Sequence, residues 1–481
     1  MTTAATTAAP SSAFGKLSLR EKLAYGTGDF ASCLFWASFS NFLLLFYTDV
    51  FGITAAAAGL MFMLTRIWDG VNDPLMGIVA DRTQTRWGKF RPWILWGCVP
   101  FGICGVLLFT TPSFGTTGKL VWAYLTYNFM MMLYTAVNIP YTALLGVITP
   151  DPVERTRVSS IKFVFAFGAG LVIKMTLPYM VDAFGDGGAN PQRGWSLAFA
   201  IVAAVAVGFF LVTFLGTRER VAPPPAQKTS IKHDLADLFR NGPWLVLTGT
   251  TLTFILFIST RLTITAHYLK YYVGAQTVQL PWQSAPHLYE FKDLWAAFGV
   301  TGDAGSIVGV LCVGWFAARV GKKAAFIALL AASVACNAVY YWLPPTAVGP
   351  IFLFQFLSAV AGGPLAVLLW AMYADTADYS EWKNGRRATG LVFSASTMTQ
   401  KFSWAVCGLG AGAMLTATGF APNVAQSPGV LHSMVLLMSL IPAALGVVAL
   451  AVVCFYPLSD QRVAEIETEL RARRGEIAPA A

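Results

Sequence analysis

Twelve stretches of predominantly apolar residues follow one another along this chain, each close to the ~20 residues that a helix needs to cross about 30 Å of hydrocarbon. Their approximate spans are 27–49, 55–80, 93–111, 120–147, 162–182, 195–216, 244–268, 294–318, 324–343, 350–374, 389–417 and 431–456. A segment in lipid must satisfy its own backbone hydrogen bonds, so runs of this length predict helices. The expected fold class is therefore an all-α membrane protein of twelve transmembrane helices. No soluble domain fits in the gaps, the largest of which are 217–243, 269–293 and the charged C-terminal tail. Composition agrees: 56% of the 481 residues are hydrophobic and 12% charged, against roughly 25% charged in a soluble domain.

The net charge of +9 could point to a nucleic-acid partner, but the placement of the basic residues argues for a membrane. With the N-terminus in the cytoplasm, twenty-five Lys and Arg fall in cytoplasmic segments and four, Lys119, Arg193, Lys270 and Lys292, on the other side. That is a positive-inside distribution with both termini cytoplasmic. The opening "MTTAATTAAPSSAFG" has neither a basic nor an apolar signal region and is expected to be a short disordered tail rather than a cleaved signal. All seven cysteines lie in predicted spans without a CxxC pair, so neither disulfides nor structural metals are expected.

The proline-rich "TRERVAPPPAQKTSIKHDLADLFRNG" divides the spans six and six. The expected organisation is an N-terminal bundle over 1–216, a cytoplasmic linker over 217–243, a C-terminal bundle over 244–456 and a cytoplasmic tail over 457–481. Short basic, glycine-bearing loops after spans 2 and 8 are six helices apart, as duplicated halves require.

Charges at membrane depth are the informative residues. In "RIWDGVNDPLMG", Arg66, Asp69, Asn72 and Asp73 form one polar stripe on span 2. A charge facing lipid costs roughly 2.5–3.5 kcal/mol at a helix centre, so the stripe must face protein or a wet cavity. Pro74 leaves the Gly70 carbonyl without its intrahelical donor, and a free carbonyl near two carboxylates suits a monovalent cation or a proton. An Arg–Asp salt bridge between helices is the structural alternative for Asp69 and Asp73, and a structural role is the preferred reading for Arg66. Asp29 is a second buried carboxylate, with Cys33 one turn on; capping or packing is its alternative role. Span 4 carries Thr135 and Asn138 on one face, beside a helix that Pro140 is expected to break. Lys401, alone in span 11, needs an anionic partner, which the span 2 aspartates could supply. Lys174 and Arg261 could snorkel, and Asp303 is a possible partner for Arg261. Aromatic residues such as Trp36, Tyr141, Trp370, Tyr373 and Trp404 could meet a sugar face, although such rings more often pack helices.

Together "KLAYGTGD", "FYTDVFG", "RIWDGVNDPLMG", "RWGKFRPWIL", "NIPYTAL", "ADTADYSEWKNGRR" and the span 11 lysine resemble the glycoside-pentoside-hexuronide:cation symporters, melibiose permease-like members of the major facilitator superfamily. The likeness runs from about Lys16 to Trp404. It implies two six-helix bundles around a central cavity, working by alternating access on a sugar or glycoside together with Na+, Li+ or H+. It also implies an inner-membrane location, no resident cofactor and a monomer. By this resemblance Asp69, Asn72, Asp73 and Thr135 bind the cation, with Asp69 and Asp73 as ligands if it is Na+, and Lys401 with Arg66 balances the charge. The family's two sugar-binding carboxylates fall on Cys33 and Asn138, and its helix 5 arginine near Lys162. Asp29 is then the expected substitute carboxylate, completing a substrate set of Asp29, Cys33, Asn138 and Lys162. A lysophospholipid or other amphiphile carrier of the same fold is the alternative. A membrane enzyme is disfavoured, because His233, His267, His287 and His432 form no HExxH or HxxxD pattern; sensing without transport is the remaining class.

Overall fold

The structure, a computed structural model, describes residues 17–149, 152–220, 238–279, 284–384 and 389–473. The expected N-terminal tail through Lys16, most of the central linker (221–237) and the end of the C-terminal tail lie outside the described residues. Helices α1 (Leu19–Phe46, extended by a π-helical turn Tyr47–Phe51), α2 (Ala55–Arg82), α3 (Arg91–Leu108), α4 (Thr116–Ile148), α5 (Pro152–Phe184) and α6 (Pro191–Gly216) form the first half. The second comprises α7 (Gly242–His267, extended by Tyr268–Val273), α8 (Phe291–Val320), α9 (Lys322–Ala338), α10 (Val348–Asn384), α11 (Thr389–Ala417) and a last span split at Ser439 into α12 (Pro428–Met438) and α13 (Leu440–Cys454). A short hairpin, β1 (Gln276–Val278) with β2 (His287–Tyr289), occupies the expected α7–α8 loop. A final helix, α14 (Asp460–Arg473), packs Ile466 and Leu470 onto the second half.

Ten of the twelve membrane-length segments among the described residues are apolar enough to cross a bilayer by length and composition. The other two, α2 and α11, carry Arg66, Asp69, Asp73 and Lys401. On α2 the side chains of Leu64, Ile67, Trp68, Leu75, Ile78 and Val79 are exposed, and by helical spacing they lie opposite the Arg66–Asp69–Asp73 stripe. The charged side is thus turned to protein and the apolar side to lipid. The α2 backbone meets α11 through small residues: a Cβ on Gly59 would come within 2.5 Å of the Gly408 carbonyl oxygen, and close approach of this kind is what glycine permits between membrane helices.

The two halves repeat one anchoring device. After α6, the Glu219 carboxylate accepts the backbone N–H groups of Lys89, Phe90 and Arg91 at 2.8–3.0 Å, capping α3. After α13, Asp460 accepts the Lys322 N–H at 2.8 Å, capping α9. The same helix starts reach back to the preceding helix ends: Arg91 donates to the Phe214 carbonyl, and Lys323 to those of Cys454 and Tyr456. Each half therefore satisfies the free donors of its third helix and the free acceptors of its sixth with paired charges. Arg220 also binds Glu21 through two contacts of 2.6 and 2.8 Å, so the first residues of the expected linker are pinned to the N-terminal half. Glu219→Ala is expected to cost about 2 kcal/mol, the scale of hydrogen bonds to a charged group. Thermal unfolding of the purified protein in detergent checks it; an unchanged transition would remove the cap from the stability of this half.

Candidate functional site

Three ion pairs involve carboxylates on α1 and α2 of the first half, those of Asp29, Asp69 and Asp73. Arg66 Nη1 donates to Asp69 Oδ2 at 3.2 Å within α2 itself, so this bridge is not between helices. The guanidinium lies 4.7 Å from the centre of the Trp36 ring on α1. Asp69 is sealed, its side chain 1% exposed, and its Oδ1 has no hydrogen-bond partner. One turn on, Asp73 is different: its side chain is 21% exposed, Oδ1 accepts from Thr135 Oγ1 of α4 at 2.9 Å, and Oδ2 takes the Lys401 ammonium of α11. Asp73 thereby ties the second helix to the fourth in its own half and to α11 in the other. Asn72 is half-buried beside it.

Asp29 on α1 pairs with Lys162 of α5 at 3.7 Å, and that ammonium stands 5.6 Å from the centre of the Tyr141 ring. The run "YGTGDF" makes the approach possible. A Cβ on Gly26 would fall 2.7 Å from Phe165 of α5, and one on Gly28 would fall 2.5 Å from Tyr141 of α4. Cys33, one turn on, and Asn138, one turn beyond Thr135, are half-buried. The structure brings together Asp29 with Lys162, Arg66 with Asp69, and Asp73 with Thr135 and Lys401.

Two expectations are corrected. Pro140 does not break its helix: α4 runs unbroken from Thr116 to Ile148, steadied where reciprocal hydrogen bonds join the Tyr25 and Tyr141 hydroxyls to each other's carbonyls at 3.2 and 2.8 Å. Asp303 does not pair with Arg261. It takes Lys174 of α5 at 2.7 Å, whereas Arg261 donates to Gln355 and Ser358 on α10. The rings sort similarly. Tyr141 and Tyr373 are fully buried packing residues, while Trp36 is half-buried against Arg66 and Trp404.

Sequence reasoning missed a polar cluster where the α1–α2 turn meets the second half. The Asp49 side chain, 1% exposed, receives both Lys270 and the Tyr271 hydroxyl. Asn423 donates to the Asp49 carbonyl at 2.6 Å and accepts from Lys270 at 2.9 Å, and Thr48 meets His267 at 3.2 Å. Nearby, Lys292 pairs with Asp182 and the Tyr179 hydroxyl donates to Asp293. Hydrogen bonds between the halves that involve only described residues lie at this end or at mid-depth. The available signals were Asp49 itself, a carboxylate at a helix end that ordinarily reads as solvated, and its place in the "FYTDVFG" run.

The sequence profile described as MFS/sugar transport protein matches residues 24–460. The chain belongs to that family. Its relatives include the inner membrane symporter YicJ of Escherichia coli strain K12, 34% identical over 89% of this chain and 89% of that protein. The isoprimeverose transporter of Lactiplantibacillus pentosus is 35% identical over 86% of this chain and 83% of its own length. Among solved structures, a single-residue mutant of the nucleoside transporter NupG superposes with a TM-score of 0.64 at 14% identity, covering 91% of this chain and 100% of that one. The multi-pass, two-bundle major facilitator fold is thus shared beyond recognisable sequence likeness.

Proposed function

We propose that this family member is a secondary transporter that carries a sugar or glycoside together with a monovalent cation across an inner membrane, as a monomer with both termini cytoplasmic. The observation that carries the reading is Asp73, held simultaneously by Thr135 and by a lysine from the other half. A carboxylate whose counter-ion is a lysine can exchange that lysine for Na+ or H+. Doing so unties α2 from α11, which links cation occupancy to the relation between the halves. The donors suit a small hard cation: the hydroxyl of Thr135 and two carboxylates, of which Asp69 has a buried oxygen without a partner. The names of the relatives, a symporter and an isoprimeverose transporter, support cotransport of a sugar over carriage of an amphiphile. The asymmetry of Lys and Arg supports the orientation.

In this reading Asp29 accepts sugar hydroxyls and Lys162 orients it, with Asn138 as a neutral partner and Cys33 lining the same face. Asp29→Asn is expected to weaken sugar binding by about 1–3 kcal/mol, the scale of a lost charge-assisted hydrogen bond, with cation affinity preserved. Equilibrium binding on purified protein checks it, and normal affinity would assign the sugar to other groups. The reading as a whole is tested by a screen of glycosides in vesicles containing the protein. A productive sugar will drive Na+ entry or alkalinise the medium; uptake without either flux overturns coupling.

A further inference from the structure

In the six-helix repeat, α8 of the second half corresponds to α2 of the first, and α11 to α5. The Lys174–Asp303 pair is accordingly the counterpart of Lys401–Asp73: each joins a carboxylate on the second helix of one half to a lysine on the fifth helix of the other. The side chains of Lys174 and Asp303 are 19% and 29% exposed, so this pair, like its counterpart, is not sealed against exchange. The two carboxylates differ in their second oxygen. That of Asp73 accepts from Thr135, whereas Asp303 Oδ2 is buried without a partner. What Asp303 has instead is a spare cation in its own half. Arg261 of α7 donates to the neutral oxygens of Gln355 and Ser358 and lies 4.9 Å from the centre of the Tyr340 ring. No carboxylate among the described residues stands within ion-pair distance of it, and its Nε is buried without a partner.

Arg261 and Asp303 line one cavity of about 350 Å³, and Gln355 links their surroundings. Gln355 holds Arg261 through its Oε1 at 2.5 Å, while its Nε2 lies so close to Gly302 that a Cβ there would collide with it. Arg261 thus stands one amide away from the residue that precedes Asp303. Three contacts join α5 to α8: Lys174–Asp303, Tyr179–Asp293 and Lys292–Asp182. The last of them shares a second cavity with Asp49 and Lys270. A carrier that opens at this end must part all three. Parting Lys174 from Asp303 with no substitute leaves three unpaired charges within the spans, Lys174, Asp303 and Arg261, each of them costly there. With Asp303 turned to Arg261 the number is one in both states, Arg261 when this end is closed and Lys174 when it is open. Such an exchange keeps the two states close in free energy, as cycling between them requires.

We infer that Arg261 is a positioning residue for the transport cycle: it receives the Asp303 carboxylate when Lys174 withdraws, so that one carboxylate serves two cations in turn. At the α2–α11 junction the released carboxylate is met by a cation from solution; at the α5–α8 junction it is met by a cation fixed in the protein. The inference rests on the reading of the chain as an alternating-access carrier. It is independent of which sugar is carried and leaves Asp29 and the Asp73 pair in the roles already described.

The test reads the open population directly. Spin labels go on cysteines at Ala189 and Val424, exposed positions at this end in the first and second halves, in a background without the seven native cysteines. Double electron–electron resonance on the full-length protein in detergent then resolves closed and open distances. Arg261→Gln is expected to lower the open fraction about fivefold, the scale of a partly exposed ion pair. Gln355→Leu removes the acceptor that occupies Arg261 in the closed form and is expected to raise the open fraction by about threefold. Both effects should vanish in an Asp303→Asn background, which has no carboxylate to hand over; a role of Arg261 confined to packing on Gln355 and Tyr340 would leave them in place. Arg261→Lys should keep most of the parent's open fraction. Should Arg261→Gln fail to fold, or the parent show only the closed distance, Gln355→Leu decides: an unchanged distribution overturns the inference, as does a shift that persists with Asp303→Asn. An open fraction untouched by Arg261→Gln overturns it as well. A protein that shows these shifts but moves no glycoside would refute the sugar reading and leave this assignment standing; a working sugar carrier without them would do the reverse.

Discussion

Asp73→Asn will abolish concentrative uptake while leaving exchange of substrate across the membrane. Asp73 is the more exposed of the two α2 carboxylates and the one shared with the other half, through Lys401. Asparagine keeps the shape and an acceptor for Thr135 but can neither bind a proton in its place nor neutralise Na+. It also strands the Lys401 ammonium. For a partly exposed pair the cost of stranding one partner is expected near 2 kcal/mol, below the ~3–5 kcal/mol of a fully buried one. The double variant Asp73→Asn with Lys401→Met should therefore recover stability without recovering accumulation, because it removes the orphan charge and leaves the cation site empty of its ligand. Accumulation and counterflow in the same vesicles separate these effects. Wild-type accumulation by Asp73→Asn would place coupling elsewhere, with sealed Asp69 as the next residue to replace.

The elements that sequence revealed and those it concealed divide along a physical line. Apolar runs and helical periodicity are properties of one segment, so the spans, the inward-turned stripe on α2 and the need of Lys401 for a partner could be read from local sequence. Interhelical register is not local. Lys174 and Asp303 are separated by 129 positions and Asp49 and Lys270 by 221, and either aspartate had more than one basic residue within plausible depth. That is why sequence alone offers Arg261, in the same half, as a possible partner for Asp303, when the structure gives it to Lys174 across the junction. The caps formed by Glu219 and Asp460 were hidden for the same reason, since each carboxylate serves a helix more than a hundred residues earlier. Pro140 misled differently: a proline removes one hydrogen bond, and packing around Tyr25 and Tyr141 keeps the helix continuous.

The second large effect is expected at the end of the molecule where Asp49 receives Lys270 and Tyr271. In the proposed orientation this end faces outward, so a carrier that works by alternating access must open it to load from outside, and opening separates α1 from α7 and from the loop bearing Asn423. Asp49 concentrates the opposition to that step, being buried and engaged by a cation, a phenol and an amide at once. Asp49→Asn preserves size and some hydrogen bonding but removes the charge. Losing charge assistance in two contacts is expected to shift the balance toward the outward-open form by about 2 kcal/mol, roughly thirtyfold in population. The reporter is a cysteine at Asn41, which lines the central cavities, placed in a background from which the seven native cysteines have been removed. Labelling from outside by a membrane-impermeant maleimide should be at least tenfold faster in Asp49→Asn than in the parent. Uptake should fall as well, because a carrier held open on one side releases its load slowly on the other. Unchanged labelling would mean that the Lys174–Asp303 and Lys292–Asp182 pairs between α5 and α8 hold this end shut, and Lys174→Met would then be the variant that opens it.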